Sequence, residues 1–137
     1  MATVLIVDDS VEIQALLEMW LVAMGHKAIK ISDGYNAVQE FTKFRPDLVI
    51  LDYNLPAASG TQVYQRIRSL AHGTRVPVIF LSATSPAELM FVVPEKDLVR
   101  FLSKPLDLKV FSQTIAEMLP APPPLGQAPP IVPPPAA

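Results

Sequence analysis

Leu48-Val49-Ile50-Leu51-Asp52-Tyr53-Asn54 is the stretch that decides the fold. Leu48–Leu51 is apolar at every position, without the alternation of a strand that keeps one face in water. Such a run reads as a strand buried on both faces, and strands of that kind belong to parallel sheets covered by helices on either side. The run then stops abruptly on a carboxylate.

Upstream, Arg45-Pro46 breaks a helix read over Gly34–Phe44, whose start Ser32 or Asp33 can cap. His26–Ser32 alternates and reads as a strand. Val4–Val7 is a short apolar run with β-branched residues, hence a first strand, and it ends in Asp8-Asp9-Ser10. A helix follows to Met24, with Gly25 as a natural C′ residue. Downstream, Gly60–Leu70 reads as a third helix, Val76–Ser82 as a buried strand, and Pro86 as the first residue of a fourth helix. Val99–Leu102 is a fifth strand. Leu106–Leu119 is a last helix, with Leu108, Phe111, Ile115, Met118 and Leu119 at apolar positions. Strand and helix alternate five times, which predicts an α/β fold with a parallel sheet between two layers of helices.

A chain of 137 residues suits one domain with a real core. The formal net charge of −2 and the lack of a Lys/Arg run argue against a nucleic-acid partner. The absence of cysteine excludes disulfides, thiolate catalysis and Cys-based zinc sites. Met1-Ala2-Thr3-Val4 does not resemble the start of a signal peptide, and the apolar runs are too short to span a membrane. A cytoplasmic protein without a membrane partner is the expectation. Composition changes at Pro120. Residues 120–137 are so rich in proline, which lacks the helical donor, that they read as an extended or disordered tail beyond a domain over 1–119.

Parallel sheets bind ligands outside the carboxyl ends of their strands. There the sequence places Asp8-Asp9, Asp52-Tyr53-Asn54, Ser82-Ala83-Thr84 and Ser103-Lys104-Pro105. Three converging carboxylates repel one another, and a hard divalent cation such as Mg2+ relieves that repulsion through oxygen ligands. A carboxylate is also a competent nucleophile towards phosphorus. Lys104 adds positive charge and Ser82 a hydroxyl donor, so the set suits in-line phosphoryl transfer onto Asp52.

Leu5-Ile6-Val7-Asp8-Asp9-Ser10, Leu51-Asp52-Tyr53-Asn54-Leu55-Pro56 with Gly60, Phe80-Leu81-Ser82-Ala83, and Phe101-Leu102-Ser103-Lys104-Pro105 together resemble the receiver domain of two-component response regulators. The resemblance covers Thr3 to about Leu119. It implies a flavodoxin-like, doubly wound, five-stranded parallel sheet with five helices and strand order 2-1-3-4-5. It makes Asp52 the phosphoacceptor in a phosphorelay. Asp9 would bind Mg2+ (or Mn2+) directly, Asp8 mostly through water, and Asn54 by its backbone carbonyl. Lys104 would pair with the acceptor, Ser82 would move onto the phosphoryl group, and Phe101 would be the aromatic that swings inward with it. The implied partners are a histidine kinase or histidine phosphotransfer protein and a downstream protein target, with the receiver a monomer or weak homodimer. The Lys104-Pro105 bond is typically cis in this family. Where the family often has Gly-Ala before the fifth strand, this chain has Val93-Pro94-Glu95-Lys96-Asp97, and Pro94 should shorten or distort the fourth helix.

Taken singly, these residues have plainer readings. Asp9 can cap the first helix, Ser82 or Thr84 can cap the helix after the fourth strand, and Phe101 can be core. Their order and placement favour the receiver reading. A phosphatase of the Asp-x-Asp kind would need a carboxylate where Asn54 stands. A flavin carrier would need a phosphate loop where Asp8-Asp9 would repel phosphate. No classical enzyme activity is expected. In the first helix, Ile13, Leu17, Leu21 and Met24 are the stripe assigned to the sheet, leaving Trp20 at its border or outside it. His26 and His72 are expected in solvent, without a role.

Overall fold

Five short strands form one parallel sheet: β1 (Thr3–Val7), β2 (Lys27–Ile31), β3 (Leu48–Asp52), β4 (Val78–Ser82) and β5 (Val99–Ser103). Their order is β2-β1-β3-β4-β5, and every neighbouring pair is parallel. Among the described residues the α-helices are α1 (Val11–Ala23), α2 (Gly34–Phe44), α3 (Gly60–Arg68) and α4 (Leu108–Met118), with a 3-10 turn at Ala71–Gly73. The computed structural model describes residues 2–53, 55, 60–82 and 98–119. The expectations for Asn54, Thr84, the helix begun by Pro86, the Pro94 region and the tail lie outside the described residues.

Side chains along a strand alternate between faces, so each apolar strand feeds two cores. Leu5, Val7, Val49, Leu51, Val78 and Phe80 pack with Ala37 and Phe41 of α2 and Val63, Tyr64 and Ile67 of α3. Val4, Ile6, Leu48, Ile50, Ile79 and Leu81 pack with Leu17 and Leu21 of α1 and Phe111 and Ile115 of α4. This two-sided burial is why β3 and β4 carry no alternation; both are buried at every position. Each fully buried Leu, Ile or Phe contributes roughly 1.5–3 kcal/mol of transfer free energy.

The helix ends follow local chemistry. Ser10 accepts from the Ile13 amide (3.2 Å), Asp33 from Asn36 (2.9 Å), and Asp107 from both Lys109 and Val110. Asp107 as cap starts α4 at Leu108 rather than Leu106. It also leaves Leu108 exposed, although its spacing suggested the apolar face. Arg45 ends α2 in the left-handed region (φ 47°), and Gly25 follows α1 at φ 89°.

On α1, Leu17 and Leu21 are fully buried, with Ile13 and Met24 packed beside them as expected. Trp20 is half-buried, its ring 5.4 Å from that of Phe111. Neither histidine stands free in solvent, which corrects the expectation. Half-buried His26 accepts from the Ala2 amide at Nδ1 (3.1 Å), and burial lowers its pKa. His72 stacks on Phe41 with ring centres 5.3 Å apart. Among the described residues no helix is long and apolar enough to cross a membrane.

Candidate functional site

Strand register assembles the site. Val7 pairs with Leu51, Leu51 with Phe80, and Phe80 with Phe101, so these four lie in one row. The residues that follow each of them, ending in Asp8, Asp52, Ser82 and Lys104, emerge at the same edge. Backbone bonds extend the ladder there: Asp8 N–H donates to Ile31 O (3.0 Å), Tyr53 N–H to Leu81 O (2.9 Å) and Lys104 N–H to Ser82 O (3.0 Å). The Lys104–Pro105 peptide is cis, as the family resemblance implied.

Asp8, Asp9 and Asp52 each offer an oxygen within 4.8 Å of the others. Asp8 is fully buried and Asp52 nearly so, whereas Asp9 is exposed. The Lys104 ammonium lies 3.2 Å from Asp8 Oδ2 and 3.4 Å from Asp52 Oδ2. Partial burial pulls the Lys104 pKa down, but attraction to Asp8 and Asp52 outweighs it, and the net shift is upward. The lysine is therefore charged at neutral pH.

Asp8 Oδ1 accepts from the Ser10 amide (2.8 Å). Asp8 Oδ2 is buried without an aligned hydrogen bond; its partner is the Lys104 ammonium, held at 3.2 Å as an ion pair. A buried carboxylate oxygen in that condition is costly. Three carboxylates against one ammonium leave excess negative charge at a single edge. A hard divalent cation with oxygen preference fits both features.

Gly60, the first residue of α3, closes the site from behind. A Cβ there would lie 2.5 Å from Asp52 O and 2.8 Å from Tyr53 Cα, so only glycine permits this approach. Ser82 is buried at the end of β4, beside β3. Phe101 is half-buried and stacks on Phe80 (5.5 Å, 14°), which also meets Tyr53 and Tyr64. A separate cavity of about 300 Å3 opens between Phe101, Pro105, Leu106 and Val110, and none of the clustered aspartates lines it.

The structure thus brings together Asp8, Asp9, Asp52, Ser82 and Lys104 and places Phe101 one row below. Sequence reasoning missed Gln14. It is buried, and its amide donates to Asp8 O (2.6 Å), Ile31 O (3.1 Å) and Ser32 Oγ (3.2 Å). One signal was available: Gln14 is a polar residue in register with Leu17 and Leu21.

The family model for the response regulator receiver domain matches residues 4–116. Sporulation initiation phosphotransferase F of Bacillus subtilis is 29% identical over 119 residues, covering 85% of this chain and 93% of that protein. Sensor histidine kinase RcsC of Salmonella typhimurium is 34% identical over 113 residues, 82% of this chain but only 12% of the kinase. The chain therefore matches a small part of that sensor kinase. The chemotaxis response regulator CheY4 of Vibrio cholerae superposes with a TM-score of 0.80 at 26% identity, covering 87% of this chain and 99% of that one. Motifs, sheet order and these matches agree: this chain belongs to the response regulator receiver domain family, the phosphorelay module of two-component signalling.

Proposed function

We propose that Asp52 is the phosphoacceptor of this receiver, fed by a histidine kinase or a histidine phosphotransfer protein. The observation that carries the reading is Asp52 itself. It is a nearly buried carboxylate at the end of β3, clustered with Asp8 and Asp9 and 3.4 Å from the Lys104 ammonium. A carboxylate in that setting can attack a phosphoryl group whose charge its neighbours neutralise.

In the transfer, an Asp52 oxygen bonds to phosphorus as the phosphorus–nitrogen bond of the donor phosphohistidine breaks, and the electron pair leaves with the imidazole. Lys104 stays against the new phosphoryl oxygens, and Ser82 donates a hydrogen bond to one of them. A bound Mg2+ or Mn2+ supplies charge neutralisation for the carboxylates and the incoming oxygens. Asp9 would ligate it directly, Asp8 mostly through water, with Asp52 and the backbone carbonyl of Asn54 completing the protein ligands. Movement of Ser82 leaves room for Phe101 to turn inward, carrying the change to a surface read by a downstream protein. The half-buried stack on Phe80 gives Phe101 a defined starting position.

On this reading residues 1–119 are the receiver and 120–137 a proline-rich tail apart from it. The chain is a cytoplasmic phosphoacceptor rather than a classical enzyme, and a monomer or weak homodimer. A second reading makes it the receiver portion of a longer protein, and the match to only 12% of a sensor kinase favours it. The acceptor chemistry is the same in both.

Incubation with Mg2+ and acetyl phosphate, or with beryllofluoride, tests the proposal. An adduct is expected in wild type and absent in Asp52→Asn or with a chelator. Wild type that stays unmodified under conditions that load other receivers would overturn it.

A further inference from the structure

The acceptor-site reading accounts for Asp8, Asp9, Asp52, Ser82 and Lys104 but leaves Gln14 unused. Gln14 lies on the first turns of α1, among apolar neighbours, and is buried. A buried amide at that position has to be explained by what it binds. Its Nε2 has three acceptors in range: Asp8 O at 2.6 Å, Ile31 O at 3.1 Å and Ser32 Oγ at 3.2 Å. It therefore ties α1 to the ends of both β1 and β2.

The consequence falls on the turn that carries two of the clustered carboxylates. Ile31 O also accepts from the Asp8 amide, so both backbone groups of Asp8 are held, its N–H by β2 and its carbonyl by Gln14. The Asp8 carbonyl belongs to the peptide that joins Asp8 to Asp9. Asp8 has further anchors, the Ser10 amide and Lys104. Asp9 is exposed, and among the described residues it makes no hydrogen bond or ion pair. The direction of the Asp9 carboxylate is thus set by its backbone, and the Gln14 amide fixes that backbone on its amino side.

We propose that Gln14 is a positioning residue of the cation site, holding the Asp8–Asp9 peptide so that both carboxylates face a divalent metal. This rests on the acceptor-site reading above. Outer residues that orient metal ligands typically change affinity by about 10–100-fold when removed. Gln14 acts through a backbone carbonyl, so the lower end, about tenfold, is expected.

The test is a calorimetric titration of the intact, unphosphorylated chain with Mg2+ alone. Gln14→Met keeps the length of the side chain and removes the donor. Its Kd for Mg2+ is expected to rise about tenfold. The rate of modification by acetyl phosphate should fall at low Mg2+ and return near the wild-type value at saturating Mg2+. Ile115→Val, a cavity variant on α4 away from the carboxylates, controls for lost stability and should keep the wild-type Kd. Gln14→Met with unchanged Kd, or Ile115→Val with an equal loss of affinity, would overturn the proposal. Should Gln14→Met fail to fold, wild type still decides by NMR. The Gln14 side-chain amide signals are expected to shift as Mg2+ is added, and signals that stay still count against the proposal. Wild type that binds no Mg2+ at all would sink the acceptor-site reading itself, a different outcome from either of these.

Discussion

Two adjoining parts of one strand obey opposite rules. Leu48–Leu51 of β3 are fully buried among apolar side chains from both helical layers. Asp52, next in the same strand and almost as buried, sits among Asp8, Asp9 and Lys104. The first region stabilises the fold by removing apolar area from water. The second gathers three carboxylates against one ammonium, which opposes folding unless something neutralises the excess charge. The lesson is that the core supplies the stability against which the acceptor edge is held.

The largest effect should come from the apolar part. Ile50→Ala, at a fully buried position, is expected to cost roughly 2–5 kcal/mol and to lower the chemical denaturation midpoint sharply. A loss below about 1 kcal/mol would mean that the core collapses around the gap more easily than its two-sided packing suggests. Next is Gly60→Ala, where a new Cβ would press on Asp52 O and Tyr53 Cα. Backbone cannot swing aside as a side chain can, so a cost of about 1–3 kcal/mol is expected, with slower modification of Asp52. Thermal melts and acetyl-phosphate rates on the same sample separate the two effects.

Asp8→Asn reverses the sign. It removes one negative charge from a buried cluster, and metal-free protein should become more stable, on the order of 1 kcal/mol. The gain should shrink on adding Mg2+, which stabilises wild type by binding its folded state. A variant less stable than wild type without metal would show that the Lys104 pair outweighs the repulsion. A smaller effect follows from Lys104, whose pKa is raised above 10.5 in the fold. Its pairing is fully present below the unfolded value near 10.5 and is lost as pH rises through the higher folded value. Stability should therefore fall in that alkaline window, and less so in Lys104→Met. The smallest effect is expected from deleting residues 121–137, which should leave the melting temperature nearly unchanged because proline-rich chain has few donors to join the core.

Much of this contrast was legible in the sequence because both rules leave local marks. Apolar runs such as Val4–Val7 and Leu48–Leu51 announce strands buried on both faces. Asp8, Asp9, Asp52, Ser82 and Lys104 each follow such a run, so topology alone puts them at one edge. What stayed hidden depends on partners distant in sequence. His26 was expected in solvent, yet its ring meets the Ala2 amide across 24 positions. His72 finds the Phe41 ring on another helix. Gln14 went unassigned in the sequence, since the carbonyls that claim it come from two strand ends. Leu108 fitted the helical period, but Asp107 as cap makes it the first residue of α4, outside the buried stripe.

The central claim is that Asp52, alone among the clustered carboxylates, takes the phosphoryl group. After loading with acetyl phosphate and Mg2+, borohydride reduction converts an acyl phosphate on aspartate to homoserine, and peptide mass mapping locates it. One conversion, at position 52 and dependent on Mg2+, is the expected result. Conversion at position 8 or 9 instead, or none at all in protein shown to be folded and to bind Mg2+, would contradict the account.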